Sequence, residues 1–240
     1  MIQIRLLQLS GLAAIFFLHS CIIDLGPTIY GDGNVVTKDR QVEPFNILKV
    51  SAGIDVFITQ GDHEALVVEA DENLHDVILT EVTDNALKVY TKHNIRQAEA
   101  KKIHLTYKDL SSIWISSAGD VEGINRMQAG ELSINLSSAG DLKLELDARR
   151  IDIDISSSGD ASLSGTTDEL DANLSSAGEL RAFSLEAKKC RVDVSSAGDA
   201  WINATEELDM SSSSAGDIYY MGNATITHMS TSSAGSIIKK

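Results

Sequence analysis

The chain has 240 residues, with 35 Asp and Glu against 20 Lys and Arg, giving a formal charge of −15 at neutral pH. That balance speaks against nucleic acid or anionic lipid headgroups as partners. Hydrophobic residues make up 43% of the chain but aromatics only 5%, which fits a core filled by Ile, Leu and Val.

Residues 1–20 read as an export signal. Arg5 is the positive flank, and Leu6 to Leu18 is apolar but too short and interrupted for a comfortable membrane span. Leu18-His19-Ser20-Cys21 has the form of a bacterial lipobox, with cleavage before Cys21 and acylation of that residue. His19 departs from the small residue usual at its position, and an ordinary signal peptide beside an unrelated cysteine is the plainer alternative. Two or three acyl chains, palmitate among them, give stable membrane anchoring where one does not. Loss of residues 1–20, whose one charged side chain is Arg5, takes the formal charge from −15 to −16.

Residues 21–44 form a tether holding both prolines, Pro27 and Pro44. Gly31-Asp32-Gly33-Asn34 lacks the lysine and following helix of a phosphate loop, so a turn before the first strand is expected. From Phe45 the chain is read as one all-β domain, 45–240. Its first part, 45–110, has strands of uneven spacing: Ile47–Val50, Ile54–Ile58, Leu66–Ala70, Val77–Leu79 and Leu87–Tyr90. These are expected to be irregular first coils that cap the open end of the core, with some antiparallel pairing. Ser51-Ala52-Gly53-Ile54-Asp55 reads as a degenerate copy of a later corner, and residues 93–101 as a polar excursion.

Residues 111–240 carry the regular repeat. Ser116-Ser117-Ala118-Gly119-Asp120 recurs around Gly140, Gly159, Gly178, Gly198, Gly216 and Gly235, at steps of 21, 19, 19, 20, 18 and 19 residues. Four, six and eight residues before each glycine, apolar residues alternate with polar ones, as in Ile151, Ile153 and Ile155. The alternation resumes after the glycine with pairs such as Leu142 and Leu144. Period-two strands joined by a tight corner and a short polar return such as Asp147-Ala148-Arg149-Arg150 leave no room for a crossover helix. The prediction is a parallel β-helix, right-handed by the general crossover rule, with about seven coils. Glycine is expected to supply the special backbone conformation at the corner, and alanine to let the coils approach.

In-register stacking makes columns. Asp120, Asp141, Asp160, Glu179, Asp199 and Asp217 form an acidic column that either faces solvent, bonded to its own corner amides, or holds Ca²⁺. The glycine-dense nine-residue calcium repeat is absent, which favours the first reading. Three residues after the glycine an outward column brings Arg181, Trp201 and Tyr219 together, either as a glycan or protein contact patch or as a stabilising ladder of rings. His63, His75, His93, His104 and His228 show no metal-ligand spacing and are read as surface residues. Cys190 falls in the inward register and is read as a buried thiol. No serine sits in a hydrolase elbow, so no catalytic residue, cofactor or metal ligand is assigned.

Cys21, then Gly31-Asp32-Gly33-Asn34-Val35-Val36, Phe45-Asn46-Ile47, Gly53-Ile54-Asp55-Val56 and the repeated Ser-Ala-Gly-Asp corners resemble, in that order, the family called putative auto-transporter adhesin, head GIN domain. The resemblance runs from about Phe45 to the end. It implies an exported β-helix-like domain and suggests adhesion, and the family lends no catalytic residue. The expected function is a non-enzymatic, outer-membrane lipoprotein anchored through Cys21, presenting a flat face to a glycan or another envelope protein. The rivals are a periplasmic structural or regulatory scaffold and a polysaccharide-acting enzyme, the latter disfavoured because the returns are too short to build a groove.

Overall fold

The structure is a computed structural model and describes residues 27–240. The expected signal (1–20), the lipidation residue Cys21 and the start of the tether lie outside the described residues. The described residues begin with β1 (Thr28–Tyr30), β2 (Val35–Arg40), β3 (Ile47–Val50), β4 (Asp55–Gln60) and β5 (Ala65–Asp71), then a 3-10 turn at Glu72–Leu74. Next come β6 (Ile78–Thr83), β7 (Ala86–Thr91), β8 (Asn94–Arg96) and β9 (Lys101–Tyr107). The regular part is β10 (Ser112–Ile115), β11 (Asp120–Gly123), β12 (Met127–Leu136), β13 (Asp141–Ile155), β14 (Asp160–Leu174), β15 (Glu179–Val194), β16 (Asp199–Ser212), β17 (Asp217–Met221), β18 (Thr225–Thr231) and β19 (Ser236–Lys239).

The regular strands pair in parallel, each with the strand one coil on, as the period predicts. Inward residues from successive coils stack: Leu132, Ile151, Leu170, Cys190 and Leu208 are one column, and Leu142, Ala161, Leu180, Ala200 and Ile218 another. All ten are buried, so the alternation read from sequence is the inside–outside alternation of the coil. The returns differ from expectation. Asp147, Ala148 and Arg150 are not a loop but part of β13, paired with Thr166, Thr167 and Glu169. The hydrogen-bond ladder therefore runs on around the return.

The corners differ in mechanism. In Ser137-Ser138-Ala139-Gly140, φ is +51° at Ser138 and +59° at Ala139, and the Gly140 N–H donates to the Ser137 carbonyl at 3.1 Å. Two left-handed central residues closed by this bond make a type I′ turn. None of the seven corner glycines has a positive φ. They are needed for space: a Cβ on Gly140 would meet Ile115 O, and one on Gly178 would meet Ile155 O, at 2.9 and 3.0 Å. Serine and alanine hold the left-handed positions and glycine makes the close approach, the reverse of the expectation. Each left-handed residue costs about 1 kcal/mol. Bonds between coils offset that cost: Ser137 N to Ile115 O, Ala118 N to Ser138 O and Asp141 N to Gly119 O, each 3.0 Å.

The first coils are laid down out of spatial order. β3 lies between β7 and β10, and β4 between β9 and β11, all in parallel. The coil of β7 and β9 therefore sits outside that of β3 and β4. Antiparallel strands close this end: β6 on β7, β5 on β9 and β2 on β5, which covers edges that would otherwise template pairing. Ala52 and Gly53 are left-handed, with φ of +65° and +63°, so the degenerate corner is present, shifted by one residue. The segment 93–101 contributes β8, which pairs with β1.

The Gly31–Asn34 turn lies between β1 and β2. It is pinned by Asp71, whose buried carboxylate accepts from the Gly33, Glu99 and Ala100 amides at 3.0 Å each. Burial alone would raise this carboxyl's pKa, but the three amide bonds outweigh it and hold it below the ordinary value. His75 is a correction: it is buried, not on the surface, and its Nε2 lies 3.2 Å from Val36 O. Cys190 is buried, and burial pushes its thiol pKa well up, as the inward register predicts.

Candidate functional site

On the face that follows the corner, register fixes one outward column: Phe57, Glu122, Lys143, Ser162, Arg181, Trp201, Tyr219 and Ile238. The structure thus brings Arg181, Trp201 and Tyr219 onto successive coils. Trp201 and Tyr219 stack with centroids 5.2 Å apart and planes 16° from parallel. The Lys240 ammonium stands 4.7 Å over the Tyr219 ring, and the Tyr219 hydroxyl donates to Asp217 at 3.3 Å. Desolvation first, and the Asp217 charge second, raise the pKa of that hydroxyl. One face of Trp201 is therefore covered and its ring orientation set. Arg181 flanks it on the other side and is paired with Glu179 at 2.5 Å.

An open groove of about 850 Å³ runs from this pair toward Glu122, lined by Lys143, Ser162, Arg181, Phe183 and Trp201 among others. Phe183 reaches it because the Gly178-to-Gly198 coil has 20 residues rather than the 19 of the coil before it. The extra residue is absorbed where register shifts between Ser162 and Ser164, a bulge beside the groove. Phe183 was not singled out in the sequence, although the 20-residue step was the available signal.

The face before the corner holds a second groove, of about 750 Å³. Its outward column is Lys88, Lys49, Trp114, Asn135 and Asp154. Trp114 is 45% exposed. Its indole N–H donates to Ser112 Oγ at 2.8 Å, and the Lys49 ammonium lies 5.1 Å from the ring centroid. Sequence reasoning missed this residue. Its neighbours Lys49 and Lys88 come from coils whose spacing does not follow the repeat, so only the fold brings them together.

The acidic column is in register and one coil longer than expected: Asp55, Asp120, Asp141, Asp160, Glu179, Asp199 and Asp217, with Lys102 beyond Asp55. Partial desolvation first, and the neighbouring carboxylates second, raise the pKa of Asp120, Asp141 and Asp199. Desolvation raises Glu179 as well, partly countered by Arg181. Among the described residues no cluster of three or more His, Cys, Asp or Glu side chains is arranged to hold a metal ion. His104 stacks on Phe57 at 5.4 Å and its Nε2 lies 2.9 Å from Glu69. His63 is exposed beside Asp62, and His228 is exposed on β18.

The family described as "Putative auto-transporter adhesin, head GIN domain" matches residues 44–224. No curated protein matches the chain. A crystal structure of a putative adhesin from Bacteroides fragilis NCTC 9343 is similar, with a TM-score of 0.81, 25% identity, 88% of this chain covered and 100% of that one. A putative adhesin from Parabacteroides distasonis ATCC 8503 gives 0.73 and 23%, over 89% of this chain and 100% of that one. A putative lipid binding protein from the same strain gives 0.70 and 24%, again over 89% and 100%. At these two lower identities the likeness is one of fold.

Proposed function

We propose, since this chain belongs to the putative auto-transporter adhesin, head GIN domain family, that it is a non-enzymatic envelope protein that binds a glycan on the outer face of its solenoid. The carrying observation is the stacked Trp201–Tyr219 pair at the end of a groove that also holds Arg181. An aromatic platform held by its neighbour loses little freedom on binding, and an adjacent guanidinium supplies directional donors. The groove is open and its acids, Glu122, Glu145 and Glu179, are paired with Lys143, Arg126 and Arg181. That suits contact with an extended ligand better than proton transfer. Acylated Cys21 anchors the chain in the outer membrane, and because β1 and β2 already pair with β8 and β5, the tether is shorter than residues 21–44 and ends before Thr28. Among the described residues no helix is long and apolar enough to cross a membrane.

Protease shaving of intact cells tests this reading. Removal of the solenoid from intact cells is the expected result. Survival of the domain until the outer membrane is opened would put it on the periplasmic side and leave the scaffold reading in its place.

A further inference from the structure

The Trp114 groove carries features that the stability of the coil does not require. Trp114 is one of the chain's 2 tryptophans, and it stands 45% exposed on a sheet face. The bond from its indole N–H to Ser112 fixes the ring, and with the Lys49 ammonium over one face the other is left as a flat apolar surface. Beside it in the column are Lys49 and then Lys88. Lys49 and Lys88, like most of the described lysines, have no carboxylate within ion-pair distance, whereas Lys102, Lys143, Lys188 and Lys189 do. Lys49 and Lys88 are adjacent cations on a chain of net charge −15, with the Lys49 ammonium over the Trp114 ring and Lys88 across the strand pair from Glu81. With Glu81 beside Lys88 and Asp154 two coils beyond Trp114, the two ammonium groups give the Lys49 end of the groove its donors for a carboxylate.

The rest of the lining points to a sugar rather than to a bare anion. Glu81 accepts from the Tyr90 hydroxyl at 2.9 Å and Asp154 from the Asn173 amide at 3.2 Å. Each keeps lone pairs free to accept from hydroxyls. The Asn135 amide sits next to Trp114 in the column, bonded through Nδ2 to Ser133 at 3.3 Å, which leaves its carbonyl oxygen as a further acceptor. Ser51, Ser116, Ser137 and Ser156 also line the groove. One open face of an indole ring, hydroxyl-binding groups around it and two lysines at one end match a pyranose that carries a carboxylate. At about 750 Å³ the groove accommodates more than one such unit.

We infer that the Trp114 groove is a second binding site, for an acidic glycan, in which a uronate ring lies on Trp114 and its carboxylate meets Lys49 and Lys88. It lies on the face before the corner, whereas the Trp201 groove lies on the face after it. The two sites stand or fall separately.

The test is titration calorimetry of the full chain, detergent-solubilised, with oligogalacturonate as the probe. Neutral galacto-oligosaccharide and polyglutamate are the comparison ligands. Saturable binding of oligogalacturonate alone is expected, and Lys49→Ala/Lys88→Ala weakens it tenfold or more. Trp114→Ala abolishes it while Trp114→Phe retains part of it, and Trp201→Ala leaves it intact. The thermal midpoint of each variant shows that the fold is kept. Absence of binding overturns the inference. So does equal binding of the neutral sugar, which removes the role of the lysines, or equal binding of polyglutamate, which removes the role of the ring. Loss with Trp201→Ala but not with Trp114→Ala overturns it too, and moves the ligand to the other groove.

Discussion

Gly140 sits against Ile115 of the preceding coil so closely that a Cβ at Gly140 would stand 2.9 Å from the Ile115 carbonyl oxygen and 2.9 Å from its Cγ2. The residue before it, Ala139, takes the left-handed conformation with φ of +59°. The two substitutions at this corner therefore act in opposite directions. Gly140→Ala forces backbone apart and is expected to cost about 1–3 kcal/mol. Ala139→Gly removes left-handed strain and is expected to stabilise by up to about 1 kcal/mol, less what the looser unfolded chain returns. Urea denaturation of both variants checks this. If glycine were needed for its torsion angle, Ala139→Gly would bring no gain.

Asp71 is the buried tie between the Gly31–Asn34 turn and the 99–100 segment. Asp71→Ala leaves the Gly33, Glu99 and Ala100 amides without their acceptor. The loss expected is on the order of 3 kcal/mol, given about 1–3 kcal/mol for each unsatisfied buried group and partial access of water. Hydrogen exchange at those three amides is the direct measurement, and acceleration confined to them and to β1 and β8 is expected.

Two groups of carboxylates give opposite pH dependences. The raised pKa values of Asp120, Asp141, Glu179 and Asp199 mean that the folded state binds protons more tightly there than the unfolded chain. Stability should therefore rise as pH falls from neutral toward the ordinary carboxylate value of about 4. Asp71 has a lowered pKa, so its contribution is present above that ordinary value and is lost as pH falls through its folded one. The thermal midpoint should pass through a maximum in mild acid. Asp141→Asn/Asp199→Asn should flatten the neutral-to-acid rise, and an unchanged profile would contradict the role given to the column.

The same column tests for calcium. Its members are spaced singly along the coils, and no cluster of three or more ligating groups forms among the described residues. Calcium and a chelator should leave the thermal midpoint equal. A rise with calcium would show that adjacent rungs share a cation.

Much of this was legible in the repeat. Alternation around Ile151, Ile153 and Ile155 gave the inward columns, and a near-constant period placed Arg181, Trp201 and Tyr219 side by side. A period carries no torsion angles, so the exchange of roles between Gly140 and Ala139 could not be read from it. The pairing of Lys49 and Lys88 with Trp114 was hidden for another reason. β3 and β7 are separated in sequence by an antiparallel excursion, and their order in the stack is inverted. His75 was misread because its burial depends on β2 packing over it, not on any local pattern.

The most direct test of the central claim is a glycan array probed with the purified full chain and with its Trp201→Ala/Tyr219→Ala variant, both checked for an unchanged circular dichroism spectrum. The account predicts saturable binding of the wild-type chain to a defined set of glycans, without cleavage, and loss of at least part of that set in the variant. An array bare for both proteins, or ligands released as cleaved products, would contradict it.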